Sequence, residues 1–308
     1  MKIKIIQILV LIIGISLFVL SACSRERIDS LDDLNVYKPI DDYLETKKQE
    51  EQEFIVTEES TNPIVGNQDS KIWISKDLLM FPDSSDVEWP FTVRLVELYT
   101  PKDMIYYQMP TVENGNILET EGEVRIRAFK LDENNVEQEL LLKPNKTYAL
   151  EMPSDSVRSN LKVFYGKEGE AFVDWTTDVV SLGGNTADDF FTATSTGHKA
   201  NIGKLGWINC GRSHQGVYNI TFSSVTDHLD YIGIFTYSTE YKSIIQAYNQ
   251  TTAEMPDALD VKIIAIGINS SDELFYSYIE TKMSATKSIN INLDPISDQE
   301  LSSILNDL

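Results

Sequence analysis

Beyond Gln52 the chain alternates apolar and polar residues over short stretches and interrupts each stretch with Gly, Pro, Asn or Asp. Period-two alternation is the mark of a strand, whose successive side chains point to opposite faces. The first stretches are Phe54-Ile55-Val56-Thr57, Lys71-Ile72-Trp73-Ile74-Ser75, Phe91 to Tyr99, Glu123 to Phe129 and Thr147 to Met152. Runs this short, each closed by turn residues, predict an all-β chain. From Phe91 to Tyr99 the residues Phe91, Val93, Leu95, Glu97 and Tyr99 share one face, and Thr92, Arg94, Val96 and Leu98 the other. Both faces hold apolar residues, so both are expected to be partly covered. Asn134-Asn135 separates two strand-like stretches and suits a hairpin turn, because asparagine tolerates positive φ.

Val163 to Gly166 and Ala171 to Trp175 add strand-like pieces, and residues 181–203 are rich in Gly, Thr, Ser and Asn. Strand-like stretches resume at Gly206-Trp207-Ile208-Asn209-Cys210 and continue through Val217 to Ser223, Tyr231 to Tyr237, Ile244 to Tyr248, Val261 to Ile268, Glu273 to Thr281 and Ile289 to Leu293. This spacing predicts two β-sandwich domains in tandem, 52–155 and 204–308, joined by a bridge at 156–203. Two helical pieces are expected. Thr100-Pro101-Lys102-Asp103 has a capping residue, a proline at the first helical position and an acid three residues on. Ser297-Asp298-Gln299-Glu300 is a capping box, and Leu301, Ile304, Leu305 and Leu308 form one apolar stripe after it.

The N-terminus carries Lys2 and Lys4, an apolar run from Ile5 to Leu20, and then Leu20-Ser21-Ala22-Cys23. The run falls short of the roughly 20 residues needed to cross a bilayer and reads as a signal peptide over 1–22. The small residues before Cys23 resemble a bacterial lipobox. That resemblance implies cleavage before Cys23 and acylation of its sulfur and amine, each buried CH₂ contributing about 0.8 kcal/mol to membrane anchoring. Residues 23–51 are polar and acidic and read as a tether spanning roughly 30 Å. A short helix opening at Pro39, with a Lys47 to Glu51 pair at helical spacing, is compatible with that role.

Lys plus Arg number 26 against 48 Asp plus Glu, a formal net charge of −22. Such a chain repels phosphate backbones, which excludes nucleic acid as a partner. With Cys23 acylated, Cys210 is the single remaining thiol, so no internal disulfide forms.

Lys71-Ile72-Trp73-Ile74, Arg94 to Ile105, Pro110-Thr111, Gly115, Leu118-Glu119-Thr120-Glu121-Gly122-Glu123-Val124 and Leu140 to Pro144 together resemble a β-sandwich module of exported Bacteroidota lipoproteins. That module is loosely similar to the domain shared by ankyrins, zonula-occludens proteins and netrin receptors. Gly203 to Arg212 likewise resembles an "L-G-W-I-N-C-D-R" junction of the same lipoproteins, with Gly211 in place of the aspartate. The resemblance implies an outer-membrane lipoprotein that binds rather than catalyses.

Catalytic candidates are few, since the chain has three histidines and two cysteines. Cys210 with His214, joined by His198 or by Asp227 and His228, has the residue types of a thiolate nucleophile with its base. A core thiol is favoured instead, because Cys210 follows Trp207 and Ile208 in an apolar stretch. Gly211 to Gly216 is a near miss of a hydrolase elbow and reads as a hairpin loop. Asp132-Glu133-Asn134-Asn135 lacks the spacing of a calcium loop and reads as a solvated hairpin tip. No phosphate loop, dinucleotide fingerprint or metal-ligand motif stands in the sequence, so no cofactor and no metal are expected. Of the tryptophans, Trp73 and Trp207 lie in strands and read as core, whereas Trp89 beside Pro90 is the candidate surface aromatic for ligand binding. The expectation is a non-enzymatic envelope lipoprotein that binds, adheres or assembles, with an envelope protein or a glycan as partner. A carbohydrate-binding lipoprotein and an envelope hydrolase are the alternatives.

Overall fold

The computed structural model describes residues 38–308 except 61, 157, 168–172, 225–231 and 248–249. The leader and Cys23 lie outside the described residues, as do Asp227 and His228. The all-β expectation holds: strands dominate and the helices are short.

A first sheet sets out β1 (Gln52–Val56), β5 (Phe91–Leu98), β7 (Asn116–Leu131), β15 (Gly206–His214), β11 (Lys162–Gly166) and β12 (Trp175–Thr176) in that spatial order, with β6 (Val112–Glu113) and β8 (Glu137–Glu139) paired to β7. A second sheet has the order β13 (Thr192–Ala193), β14 (Gly197–Ile202), β10 (Tyr148–Pro153), β3 (Lys71–Trp73) and β2 (Ile64–Val65). A two-stranded piece joins β4 (Leu79–Met80) to β9 (Leu141–Leu142). A third, antiparallel sheet runs β18 (Ser243–Gln246), β17 (Ile232–Ser238), β19 (Asp260–Ile268), β20 (Leu274–Lys282) and β22 (Asp294–Ile296), and β16 (Ile220–Ser224) pairs in parallel with β21 (Lys287–Ile291).

Side-chain alternation sorts these strands into layers. Phe91, Val93, Leu95, Val124, Ile126, Ala128, Ile208 and Cys210 face the second sheet and pack with Ile72, Tyr148, Leu150, Ala200 and Ile202. The opposite face of the first sheet presents Val96, Leu98, Phe164 and Trp207 to the third sheet, through Phe235, Tyr237, Ile264 and Ile266. The third sheet's other residues, Ile234, Ile245, Ile263 and Ala265, meet Ile220, Phe222 and Ile291. Both faces of β5 are therefore covered, as its sequence requires. Asn135 takes φ 60° in the hairpin between β7 and β8, where Asp132 accepts from the backbone nitrogens of Asn134 and Val136.

Three helices edge the second core. In α1 (Lys38–Glu45), Ile40 and Leu44 are buried at 1% and 0% exposure. In α2 (Pro101–Tyr107) the Thr100 side chain caps by accepting from Asp103 N. In α3 (Asp298–Asn306) the capping box of Ser297 and Glu300 forms, and Leu301 and Leu305 are buried. Both capping motifs thus stand where the sequence put them.

The sequence-based division of the chain needs three corrections. Residues 38–51 are docked rather than tethering. Burying Ile40 and Leu44 is worth roughly 1.5–3 kcal/mol each, Lys47 reaches Asp298 at 2.5 Å and Glu51 pairs with Arg127 at 2.6 Å. The bridge at 156–203 contributes β11 to the first sheet and β14 to the second, and β15, expected to open the second sandwich, sits between β7 and β11. Two of its glycines satisfy close approach rather than flexibility: a Cβ on Gly197 would lie 2.0 Å from Met152 O, and one on Gly203 2.0 Å from Asn185 O. Finally, Gly211 to His214 is strand, not a hairpin loop.

Buried Glu97 fastens the end of the first sandwich. Its carboxylate accepts from Ser70 N at 3.0 Å, Gln68 N at 2.9 Å and Gln52 Nε2 at 2.7 Å. A Cβ at Gly66 would sit 2.6 Å from that carboxylate, so only glycine fits the loop there.

Candidate functional site

A dense cluster of ionisable side chains forms where the first and third sheets meet. The β7 segment Glu119-Thr120-Glu121-Gly122-Glu123 carries three acids in alternation. It also contains a bulge: three steps on β7, from Thr120 to Glu123, oppose two on β15, from Asn209 to Gly211. A bulge bends the strand and re-aims its side chains. Gly122 accommodates it at φ 139°, where a Cβ would lie 2.2 Å from the Tyr99 ring.

Glu119 and Glu121 meet cations brought from elsewhere in the chain, whereas Glu123 faces Asn209. Glu119 is hydrogen-bonded by Arg158 Nη1, approached by Arg212 Nε at 3.5 Å and bonded by His214 Nε2 at 2.8 Å. Glu121, almost fully buried, has Arg158 Nε at 2.9 Å, off the hydrogen-bonding direction, Lys242 Nζ at 3.1 Å and Ser154 Oγ at 2.9 Å. Arg158 comes from the loop between β10 and β11, and Lys242 from the turn between β17 and β18. In that same turn Tyr241 stacks on His214 with ring centroids 4.3 Å apart, and its carbonyl accepts from Thr120 N at 2.9 Å. The hydrogen bond from His214, and after it the charges of Arg212 and Arg158, hold the Glu119 carboxyl below its usual range against the cost of burial. The cluster is a charge-paired clasp between sheets.

The proposed thiol chemistry is not assembled. Cys210 is a free cysteine on the face of β15 turned to the first core, and burial, with a smaller contribution from Glu121, pushes its thiol up, away from the thiolate. His214 is committed to Glu119 and Tyr241. His198 is buried with Nε2 at 3.1 Å from Arg158 O, and its Nδ1 has no partner. Among the described residues, no group of three His, Cys, Asp or Glu is placed to hold a metal ion.

Sequence order misplaces one tryptophan. Trp207 and Trp175 are buried in the second core, with Trp175 Nε1 donating to Pro110 O at 2.8 Å. Trp73, expected in the core, is half-buried on the outer face of the second sheet, because Ile72 takes the inward position and Lys199 Nζ lies 3.5 Å from the Trp73 ring centroid. Trp89 is half-buried and stacks on Phe91 at 5.3 Å with an interplanar angle of 22°, so one face of its indole is occupied. The Glu119 to Glu123 alternation was the available signal for the clasp, since acids are depleted from strand interiors unless paired.

No family model, curated protein or solved structure matches this chain.

Proposed function

We propose that this protein is a non-catalytic binding, adhesion or assembly module, held on a leaflet of the cell envelope by acyl chains at Cys23, with the outer membrane as its site. The observation that carries the reading is the commitment of Cys210 and His214 to structure. Cys210 is sealed in an apolar core with its thiol pushed up, and His214 is locked between Glu119 and Tyr241. No described helix is long and apolar enough to cross a membrane, which is compatible with a lipid anchor. Metabolic labelling with a palmitate analogue tests the anchor. The wild type is expected to be labelled and Cys23→Ala to be blank; equal labelling of both would remove the anchor. Hydrolytic turnover lost in both Cys210→Ala and His214→Ala would overturn the non-catalytic reading.

A glycan is the second reading, supported by Trp73. It stands on the outer face of the second sheet, next in register to the small residue Ala149, and beside the Lys71–Glu151 pair at 2.9 Å. Indole faces stack on sugar rings, and nearby charged groups hydrogen-bond hydroxyls. A glycan-array signal that Trp73→Ala abolishes and Trp89→Ala preserves would place binding on this face. The reverse pattern would place it at Trp89, and loss of signal in neither variant would reject the glycan reading for both.

A further inference from the structure

We propose that the free edge of β1 pairs with β1 of a second copy of this chain, antiparallel about a two-fold axis at Phe54, so that the two first sheets become one. This pairing goes beyond the binding reading above by naming a partner, and it does not depend on an acyl chain at Cys23.

β1 stands at the end of the first sheet, and among the described residues β5 is its one strand partner. Its register on β5 runs unbroken from Gln52 opposite Leu95 to Val56 opposite Phe91. The edge turned away from β5 is therefore a regular row of backbone donors and acceptors, a template for another strand. Ile55, on the face opposite the first core, is 70% exposed, the most exposed large hydrophobic side chain among the described residues. On the other face Phe54 packs against the first core but is only half-buried, so that core stops short at this edge.

The other free edges of the described sheets carry features that discourage pairing. Strands β2, β4, β6, β9, β12 and β13 have two residues each. β8 is Glu137-Gln138-Glu139, exposed throughout, and β22 contains Pro295. β21 opens on Lys287, and the stretch of β20 beyond its pairing with β22 ends on Lys282. The outer side of β18 is occupied, since Thr111 N donates to Ile244 O at 2.8 Å, and so is that of β16, where Phe222 N donates to Gln250 O at 2.7 Å. Shortness, proline and charge, lysine above all, are the means by which edge strands avoid pairing. β1 has five residues, with neither proline nor lysine.

The strand's own sequence fits a second copy. Opposed residues of an antiparallel pair point to one face, so the two-fold axis passes through a residue of the strand. At Phe54 all five residues pair: Phe54 meets its equivalent, Glu53 lies opposite the partner's Ile55, and Gln52 opposite the partner's Val56. The half-buried phenylalanines then close the gap between two cores, and the two Ile55 side chains meet on the diagonal. An axis at Glu53 would oppose two carboxylates, and one at Ile55 would pair only three residues of the strand. Copies of net charge −22 repel, but the acids at β1 are matched within each copy. Glu53 lies 3.6 Å from Arg94, and Glu51, just before the strand, pairs with Arg127 at 2.6 Å. Glu58 and Glu59 leave the line of the strand in the turn closed by Ser60 N on Thr57 O.

Sedimentation of the detergent-solubilised full chain tests the association, and introduced cysteines test its register. A five-residue ladder is a small interface of the weak class, so the wild type is expected to pass from monomer to dimer with concentration. Ile55→Lys, a change at an exposed position, is expected to weaken that dimer at least about ten-fold. Directly opposed residues have Cα atoms about 4.5–5.5 Å apart, which a disulfide spans. The two copies of residue 53, or of residue 55, would be about 8 Å apart, which it does not span. The double variant Glu53→Cys, Ile55→Cys should therefore crosslink on mild oxidation and each single variant should not, with the wild type as control for Cys23 and buried Cys210. A wild type that stays monomeric at every concentration would overturn the proposal and leave the edge to a strand of another protein. A dimer that Ile55→Lys leaves intact, a double variant that does not crosslink, or crosslinking by either single variant would also overturn it.

Discussion

Replacing Glu123 by glutamine is expected to stabilise the fold at neutral pH, by about 1.4 kcal/mol for each pH unit above the unfolded glutamate pKa over which the folded acid stays protonated. Glu123 is fully buried and lies directly across the strand pair from Asn209, whose Nδ2 donates to Glu123 Oε1 at 3.1 Å. Glu123 Oε2 and Asn209 Oδ1, both buried acceptors, have no partner. Burial pushes the Glu123 carboxyl well above the carboxylate range, with the Asn209 hydrogen bond opposing only in part. A neutral acid also resolves the orphan pair, since its O–H is the donor that Asn209 Oδ1 lacks.

The sign follows from linkage. A carboxyl whose folded pKa exceeds its unfolded value binds more protons when folded, so its contribution is complete below the unfolded pKa and is lost as pH rises toward the folded one. Glutamine has the protonated acid's donor and acceptor at every pH. The difference between variant and wild type should therefore be near zero in acid, below the ordinary glutamate range, and grow with pH. Urea denaturation across that range measures it. A variant less stable than wild type at every pH would mean that a further group holds the carboxylate ionised.

How much of this was legible beforehand depended on whether the signal was local. The capping residues Thr100 and Ser297 act within one turn, and the structure has both helices. The two-faced apolar pattern of Phe91 to Tyr99 reported a strand buried on both sides without naming the layers that cover it. What failed was assignment across distance. Ile40 and Leu44 are two apolar residues in an acidic segment, too few to be recognised as docked until the groove above β19 and α2 is present. The Gly, Ser and Thr of residues 181–203 look like a linker because composition does not distinguish a glycine that is free from one pressed against Met152 or Asn185. The charge clasp was hidden for the same reason: Glu119, Arg158, His214 and Lys242 come from four separate segments, and no spacing rule connects them.

That failure of local reading has a large measurable consequence at the point where the sequence divides the chain. A fragment beginning at Lys204 is expected to be unfolded, and limited proteolysis of the intact protein should not release it as a stable product. Such a fragment removes β15 from between β7 and β11, leaving buried Trp207, Ile208, Asn209 and Cys210 without either neighbour. It also strips the third sheet of the layer that covers Phe235, Tyr237, Ile264 and Ile266. Exposing large side chains of this kind costs about 1.5–3 kcal/mol each, so a few of them match the whole stability of a typical domain, about 5–15 kcal/mol. The complementary piece, ending at Gly203, loses the central neighbour of β7 and with it the strand that presents Arg212 and His214 to Glu119. The intact chain should accordingly show one calorimetric transition, with the two halves melting together. A cut between residues 181 and 203 that yields a C-terminal fragment with its own cooperative melt would show that the third sheet forms a core without β7 and β11. In that case the contacts of Glu121 with Lys242 and of Thr120 and His214 with Tyr241 would join independent bodies rather than form the seam of one.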